Sequence, residues 1–176
     1  QNKGQIYAYD SDGRRLMPIY ARLERAGARN VQVRAPKGQA DVLSDLRSRC
    51  DLVVVDAPCT GSGTWRRNPD AKWRMRPGAL EQRVKDQTQA IQDAALYVKS
   101  GGRLLYVTCS LLKAENEDRI AAFCAENPDF RIVDPAEVAR DAGLPMLVER
   151  ANSVGLRLTP ATTGTDGFFI ALLRRS

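Results

Sequence analysis

Leu52-Val53-Val54-Val55-Asp56-Ala57-Pro58-Cys59 is the stretch that decides the fold. Its apolar, largely β-branched run reads as a strand, and the acid followed by Ala-Pro-Cys ends it. The run is apolar at both parities of the pleat. It therefore predicts a central parallel strand covered by helices on each face.

On the N-terminal side, Gln5 to Tyr9 reads as a short strand ending at Asp10. Leu16, Ile19, Tyr20 and Leu23 then share one helical face, with Pro18 near the start and Gly27 at the cap. Val31 to Arg34 reads as a second strand, and 39–48 as a short helix carrying Val42, Leu43 and Leu46. On the C-terminal side lies a Pro/Gly-rich basic loop, 57–76. The pattern next predicts a helix over 78–99, with Leu80, Val84, Ile91, Ala95 and Val98 inward, stopped by Gly101-Gly102. A strand over 103–107 ends at Thr108-Cys109-Ser110, and a helix covers 114–125. Asp134-Pro135 is an N-cap followed by proline at the first helical position, opening a helix to about Ala142. Leu156–Leu158 and Phe168–Leu173 read as paired strands around a Gly/Thr turn, forming an antiparallel hairpin at one edge. Strands alternating with helices give the α/β class with a largely parallel sheet.

The chain has 176 residues, a length that predicts one domain. It contains no histidine. This excludes a Ser-His-Asp triad, a Cys-His dyad and imidazole-based zinc sites, so acid–base work falls to carboxylates, thiols, Lys or Tyr. Cys50, Cys59, Cys109 and Cys124 form no CxxC pair, which argues against a zinc ribbon or a dithiol redox motif. No metal is expected. The thiols read as reduced, predicting a cytoplasmic compartment. No apolar run approaches the ~18–20 residues of a membrane span, and no signal-peptide pattern is present. The chain begins at Gln1 almost directly with a strand, and we expect a cut end there.

In open α/β sheets ligands sit beyond the carboxyl ends of the strands. Asp10, Asp56 with Pro58-Cys59, and Cys109 stand at those ends. A carboxylate such as Asp10 suits ribose hydroxyls; its plainer reading is a turn or N-cap residue. Cys50 and Cys124 lie in apolar patterns and read as core. Cys59 and Cys109 follow strands and precede polar or glycine-rich residues, so they suit a shared cleft. Without histidine, a thiol nucleophile needs backbone N–H groups, a helix N-terminus or cations to activate it. Arg66, Arg67, Lys72, Arg74 and Arg76 are offset only by Asp70, with Trp65 and Trp73 interleaved. That pattern suits a phosphate backbone and stacked bases; the alternative is a solvated loop whose tryptophans pack on the core. Gly61-Ser62-Gly63 is no Walker loop and reads as a flexible turn.

Taken together, several segments resemble the Nop/Sun family of RNA 5-methylcytosine methyltransferases. They are Asp56 through Thr64, Arg66 through Trp73, Thr108-Cys109-Ser110, Glu115-Asn116-Glu117 and Pro160 through Ala171. Asp10, Arg15, Leu16, Arg25-Ala26-Gly27 and Asn30-Val31 also fit, so the resemblance spans nearly the whole chain in order. It implies a Rossmann-like class I methyltransferase sheet and S-adenosylmethionine as cofactor. Cys109 would attack carbon 6 of cytosine, Cys59 would assist elimination, and Asp56 would hold the cytosine ring. A role for Asp56 in protonating nitrogen 3 would require burial to raise its pKa. Asp10, Arg15, Asp56 and Pro58 would contact the cofactor; Arg66, Arg67, Lys72, Trp73 and Arg74 would face RNA. Ribosomal RNA is the expected substrate class, ahead of transfer RNA, with a flipped or single-stranded cytosine.

The family's first strand and glycine-rich loop have no counterpart here. We therefore expect an N-terminally truncated catalytic domain over 1–176, with weak or absent cofactor binding by this chain alone. Two strand edges that the missing strand would pair are expected to lie open. Arg34-Ala35-Pro36 stands where the family has an acid near the adenine, unless Asp41 substitutes. Two other functional readings are an RNA-binding module without catalysis and an unrelated thiol or nucleotide-binding α/β protein.

Overall fold

The structure is a computed structural model and describes residues 2–38 and 40–176. Gln1, where a cut end is expected, and Gln39, expected to open a short helix, lie outside the described residues. The chain divides into two compact units, Gln1–Arg47 and Ser48–Ser176.

In the first unit, β1 (Ile6–Ala8) pairs in parallel with β2 (Val31–Val33) as a two-stranded sheet. Between them lie α1 (Gly13–Leu16) and α2 (Ile19–Arg25). The single helix expected here is broken because Pro18 lacks an N–H and takes the cap position of α2. Leu16 is buried, whereas Tyr20 is exposed. The helix expected over 39–48 is reduced to a 3-10 turn at Ser44–Leu46, with Leu46 buried. Ser48 adopts a positive φ of 52°, which a continuing helix does not permit.

The second unit carries a five-stranded sheet ordered β3-β4-β7-β5, with β6 also on β7. Its elements are β3 (Cys50–Asp56), α3 (Ala79–Ala95), β4 (Val98–Thr108), α4 (Glu117–Glu126), β5 (Phe130–Ile132), α5 (Pro135–Asp141), β6 (Leu156–Leu158), α6 (Pro160–Thr163) and β7 (Phe168–Arg175). β3 and β4 run parallel; β7 runs antiparallel to β4, β5 and β6. As the motif required, Asp134 caps α5 by accepting from Ala136 N.

Three expectations change in this unit. β3 is an edge strand, not a central one. Val55 is buried, whereas Leu52 and Val54, on the other face of the pleat, are 44% and 58% exposed. The expected open strand edge is thus present at β3. The final two strands do pair antiparallel, but β7 is not at an edge: it sits between β4 and β5, and its Phe169, Ala171 and Leu173 are fully buried. The long helix stops at Ala95, and Val98, expected on its inward face, opens β4 with no exposed surface. Gly101-Gly102 lie inside that strand at a bulge, where register steps from Cys50↔Val98 to Leu52↔Arg103. Gly101 has φ of 73°, and a Cβ on Gly102 would sit 2.8 Å from the Lys99 carbonyl oxygen. Glycine here lets the strand loop out.

The core lies between one sheet face and α3 with α4. Ile91 and Ala95 of α3, Ile120 and Phe123 of α4, and Leu104, Tyr106, Phe169 and Leu173 of the sheet form it. Phe123 meets Phe130 edge-on at 5.3 Å between ring centroids. Leu104 has no exposed surface. Leu104→Ala should cost about 2–5 kcal/mol of unfolding free energy in a denaturant titration; a loss below ~1 kcal/mol would show that this layer collapses around the gap.

Candidate active site

The parallel pairing of β3 and β4 sets Asp56 opposite Val107, and Ala57 N donates to the Val107 carbonyl at 2.9 Å. Both strands therefore end at the same side of the sheet. Pro58-Cys59 and Cys109-Ser110 leave it together, and the Cys59 and Cys109 sulfurs lie 3.4 Å apart. Both residues are half-buried. The two thiols expected to share a cleft are in direct contact. Cys124, by contrast, packs against the core, where burial pushes its thiol up.

Glycines make the close approach possible. Gly61 adopts φ of 70° as the chain turns behind Cys59. Gly63 N donates to the Cys109 carbonyl at 2.9 Å, and Gly167 N donates to the Gly63 carbonyl at 2.8 Å. A Cβ on Gly63 would fall 2.2 Å from Gly167 O, so a side chain there would separate these segments.

The thiols share their protons unequally. A hydrogen bond from Cys59 stabilises the Cys109 thiolate and brings its pKa down to about 7, against burial and the negative charge of Asp56. Cys59 is pushed far up, first by donating that bond and then by burial. The sequence suggested backbone groups, a helix end or cations as the activating element; the largest cause here is the second thiol.

A polar cage surrounds the pair; the resemblance includes Glu115 and Asn116 without giving them a role, and Gln87 is not singled out by the sequence. Glu115 accepts from Thr60 N at 2.7 Å, Thr60 Oγ1 at 2.5 Å and Gln87 Nε2 at 3.2 Å, and also from Ser110 Oγ. Gln87 Nε2 donates to the Pro58 carbonyl at 2.9 Å. Asn116 accepts from Thr108 Oγ1 at 2.6 Å and donates to the Ser110 carbonyl at 2.9 Å. Glu115, Asn116 and Gln87 are fully buried. A usable signal for Gln87 existed: a polar residue on the inward stripe with Ile91 and Ala95.

The remaining candidates are less gathered. Asp56 is exposed, on the same face of β3 as Leu52 and Val54. Asp10, in the first unit, accepts from Asp12 N at 2.8 Å, the plain turn role, while its other oxygen lies 4.0 Å from Arg15. Asp41 accepts from Leu43 N and pairs with Arg47 at 2.9 Å. In the basic loop, Arg66 and Arg67 both pair with Asp166, and Arg74 pairs with Asp70 at 3.0 Å. Lys72 lies over the Trp73 ring at 4.7 Å, and Trp73 is 79% exposed. The two tryptophans differ. Trp65 is half-buried, and its indole N–H finds no partner among the described residues.

Only the thiolate alkylates, so Cys109 modification should rise with pH through a midpoint near 7. Cys59→Ala removes the donor and should move that midpoint up toward an ordinary thiol at about 8.5, read by mass spectrometry of the Cys109 peptide. An unmoved midpoint would mean that Cys59 is not the activating group.

Residues 1–174 match the family described as 16S rRNA methyltransferase RsmB/F. The chain is 36% identical over 169 residues to a ribosomal RNA small subunit methyltransferase B of Sodalis glossinidius, covering 95% of this chain and 35% of the relative. It is 34% identical over 178 residues to a probable ribosomal RNA small subunit methyltransferase B of Synechocystis, covering 99% and 38%. A crystal structure of NSun6 from Pyrococcus horikoshii superposes with a TM-score of 0.76 at 28% identity, over 99% of this chain and 42% of that one. The chain thus spans little more than a third of the length of the curated relatives it matches. With the match covering nearly every residue, the chain belongs to the RsmB/F family of 16S rRNA methyltransferases.

Proposed function

We propose that this chain is the thiol-bearing part of an S-adenosylmethionine-dependent RNA cytosine-5 methyltransferase whose substrate is small-subunit ribosomal RNA. The observation that carries the reading is the Cys59–Cys109 contact at 3.4 Å, with Cys109 held near pKa 7. Carbon 5 of cytosine is a weak nucleophile. Addition of the Cys109 thiolate to carbon 6 forms an S–C6 bond and shifts the ring's electron pair toward carbon 5. S-adenosylmethionine, when bound, supplies the methyl group that carbon 5 takes. The carbon 5 proton then passes to water, its C–H electron pair re-forms the ring double bond, the S–C6 bond breaks and the Cys109 thiolate is restored. Cys59, beside that sulfur, assists this elimination. Asp56, exposed at the end of β3, would accept from the 4-amino group of the ring.

Asp10 is the test of fit for the cofactor. One of its oxygens is taken by Asp12 N; the other faces Arg15 at 4.0 Å and keeps lone pairs for ribose hydroxyls. Asp10 and Arg15 of the first unit would hold the ribose. Exposed Trp73 with Lys72 offers unpaired bases a stacking surface, and Arg66, Arg67 and Arg74 offer charge to phosphates.

The full-length protein, given radiolabelled S-adenosylmethionine and unmodified small-subunit RNA, should place label on carbon 5 of cytosine, and Cys109→Ser should abolish it. Label on transfer RNA alone would replace the substrate class. RNA binding without label on any RNA would leave the binding-module reading. Cys59→Ala should accumulate a denaturation-resistant protein–RNA adduct, seen as a retarded band; loss of all adduct would reverse the roles of the two thiols.

A further inference from the structure

Glu115 is a carboxylate with no exposed surface, and none of the steps above uses it. Burying a charge is costly unless the charge is paired or hydrogen-bonded. Among the described residues no ion pair reaches it, and its charge is held by neutral donors. These are the backbone and hydroxyl of Thr60, the amide of Gln87 and the hydroxyl of Ser110. Thr60 directly follows Cys59, and Ser110 directly follows Cys109. One carboxylate therefore grips both thiol-bearing segments.

The hydrogen bonds around it run in one direction. Leu111 N donates to Ser62 Oγ at 2.9 Å, so the Ser62 proton is left for Ser110 Oγ at 3.1 Å. Ser110 Oγ also accepts from Leu112 N at 3.0 Å, and its own proton goes to Glu115. Every group aimed at Glu115 is a donor, so the site needs a group that only accepts. An amide there would point N–H groups at donors. An aspartate would keep the charge but lack the reach to span Thr60 and Ser110.

We infer that Glu115 is a positioning residue for the thiol pair: by accepting from Thr60 and Ser110 together, it sets the separation at which Cys59 donates to the Cys109 sulfur. The inference rests on the thiol reading above but is tested without RNA or methyl donor. Charge and geometry pull in opposite directions here. As a nearby negative charge, Glu115 opposes the Cys109 thiolate. Removing the charge alone would therefore lower the alkylation midpoint of Cys109, and keeping it would leave the midpoint in place.

The test uses full-length Glu115→Gln and Glu115→Asp proteins, shown to be folded by near-ultraviolet circular dichroism. Cys109 alkylation is followed against pH by peptide mass spectrometry. Positioning predicts that both variants raise the midpoint from near 7 toward that of an ordinary thiol, slowing alkylation at pH 7 on the order of 10-fold. A lower midpoint in Glu115→Gln, or an unmoved one in Glu115→Asp, overturns the inference. Should neither variant fold, Thr60→Val removes one hydroxyl donor from the Cys59 side. A smaller upward shift supports positioning, and no shift refutes it. Shifted midpoints in a protein that never transfers methyl would sink the proposed function and leave the role of Glu115 standing.

Discussion

The register that sets Asp56 of β3 opposite Val107 of β4 is the constraint on which the site depends. Parallel strands end on the same side of a sheet, so the loops that follow them leave together. From that start, Gly63 reaches the Cys109 carbonyl and Gly167 reaches Gly63, layering the chain before β7 onto both loops. Close approach at these points leaves no room for a Cβ, which is why glycine stands at 63 and 167. The register itself is held from below by the core of Leu104, Tyr106, Phe169, Leu173, Ile91 and Phe123.

A chain without histidine must activate a nucleophile by other means. Here the largest effect is one thiol donating to another, which favours the thiolate at Cys109 and disfavours it at Cys59. The balance is local and directional. Burial and the charges of Asp56 and Glu115 all work against the Cys109 thiolate, yet the hydrogen bond outweighs them. That bond requires the sulfurs to stay close, and the buried hydrogen bonds around Ser62, Ser110, Glu115 and Asn116 supply the rigidity.

The basic loop is organised by one acid. Asp166, with only 12% of its side chain exposed, holds both Arg66 and Arg67, tying the loop to the approach of β7. The two arginine side chains remain about 60% exposed, so their charge still reaches outward. Exposed ion pairs contribute little to stability. The value of this pair of contacts is therefore in fixing where the loop lies, with Trp73 left open to the outside.

Local pattern carried much of this protein. Alternation of strand and helix, the Asp134-Pro135 cap, the inward stripe of α3 and the strand-end placement of Asp56, Cys59 and Cys109 were all legible, because each depends on residues near in sequence. The order of the motifs likewise pointed to the family that the comparisons then showed. Other features depended on contacts between distant segments. β3 became an edge because its neighbours, not its own composition, decide whether both faces are covered. β7 became interior because it pairs antiparallel with three strands, a choice set by packing. Gly101-Gly102, which locally read as a helix stop, proved to be a bulge, because Val98 gained more from burial in the sheet than from continuing α3. The thiol contact and the carboxylate that grips it join residues separated by about half a hundred positions, and no local period encodes that distance. Folding alone, by aligning two parallel strand ends over a buried core, made the Cys59–Cys109 pair a single chemical unit.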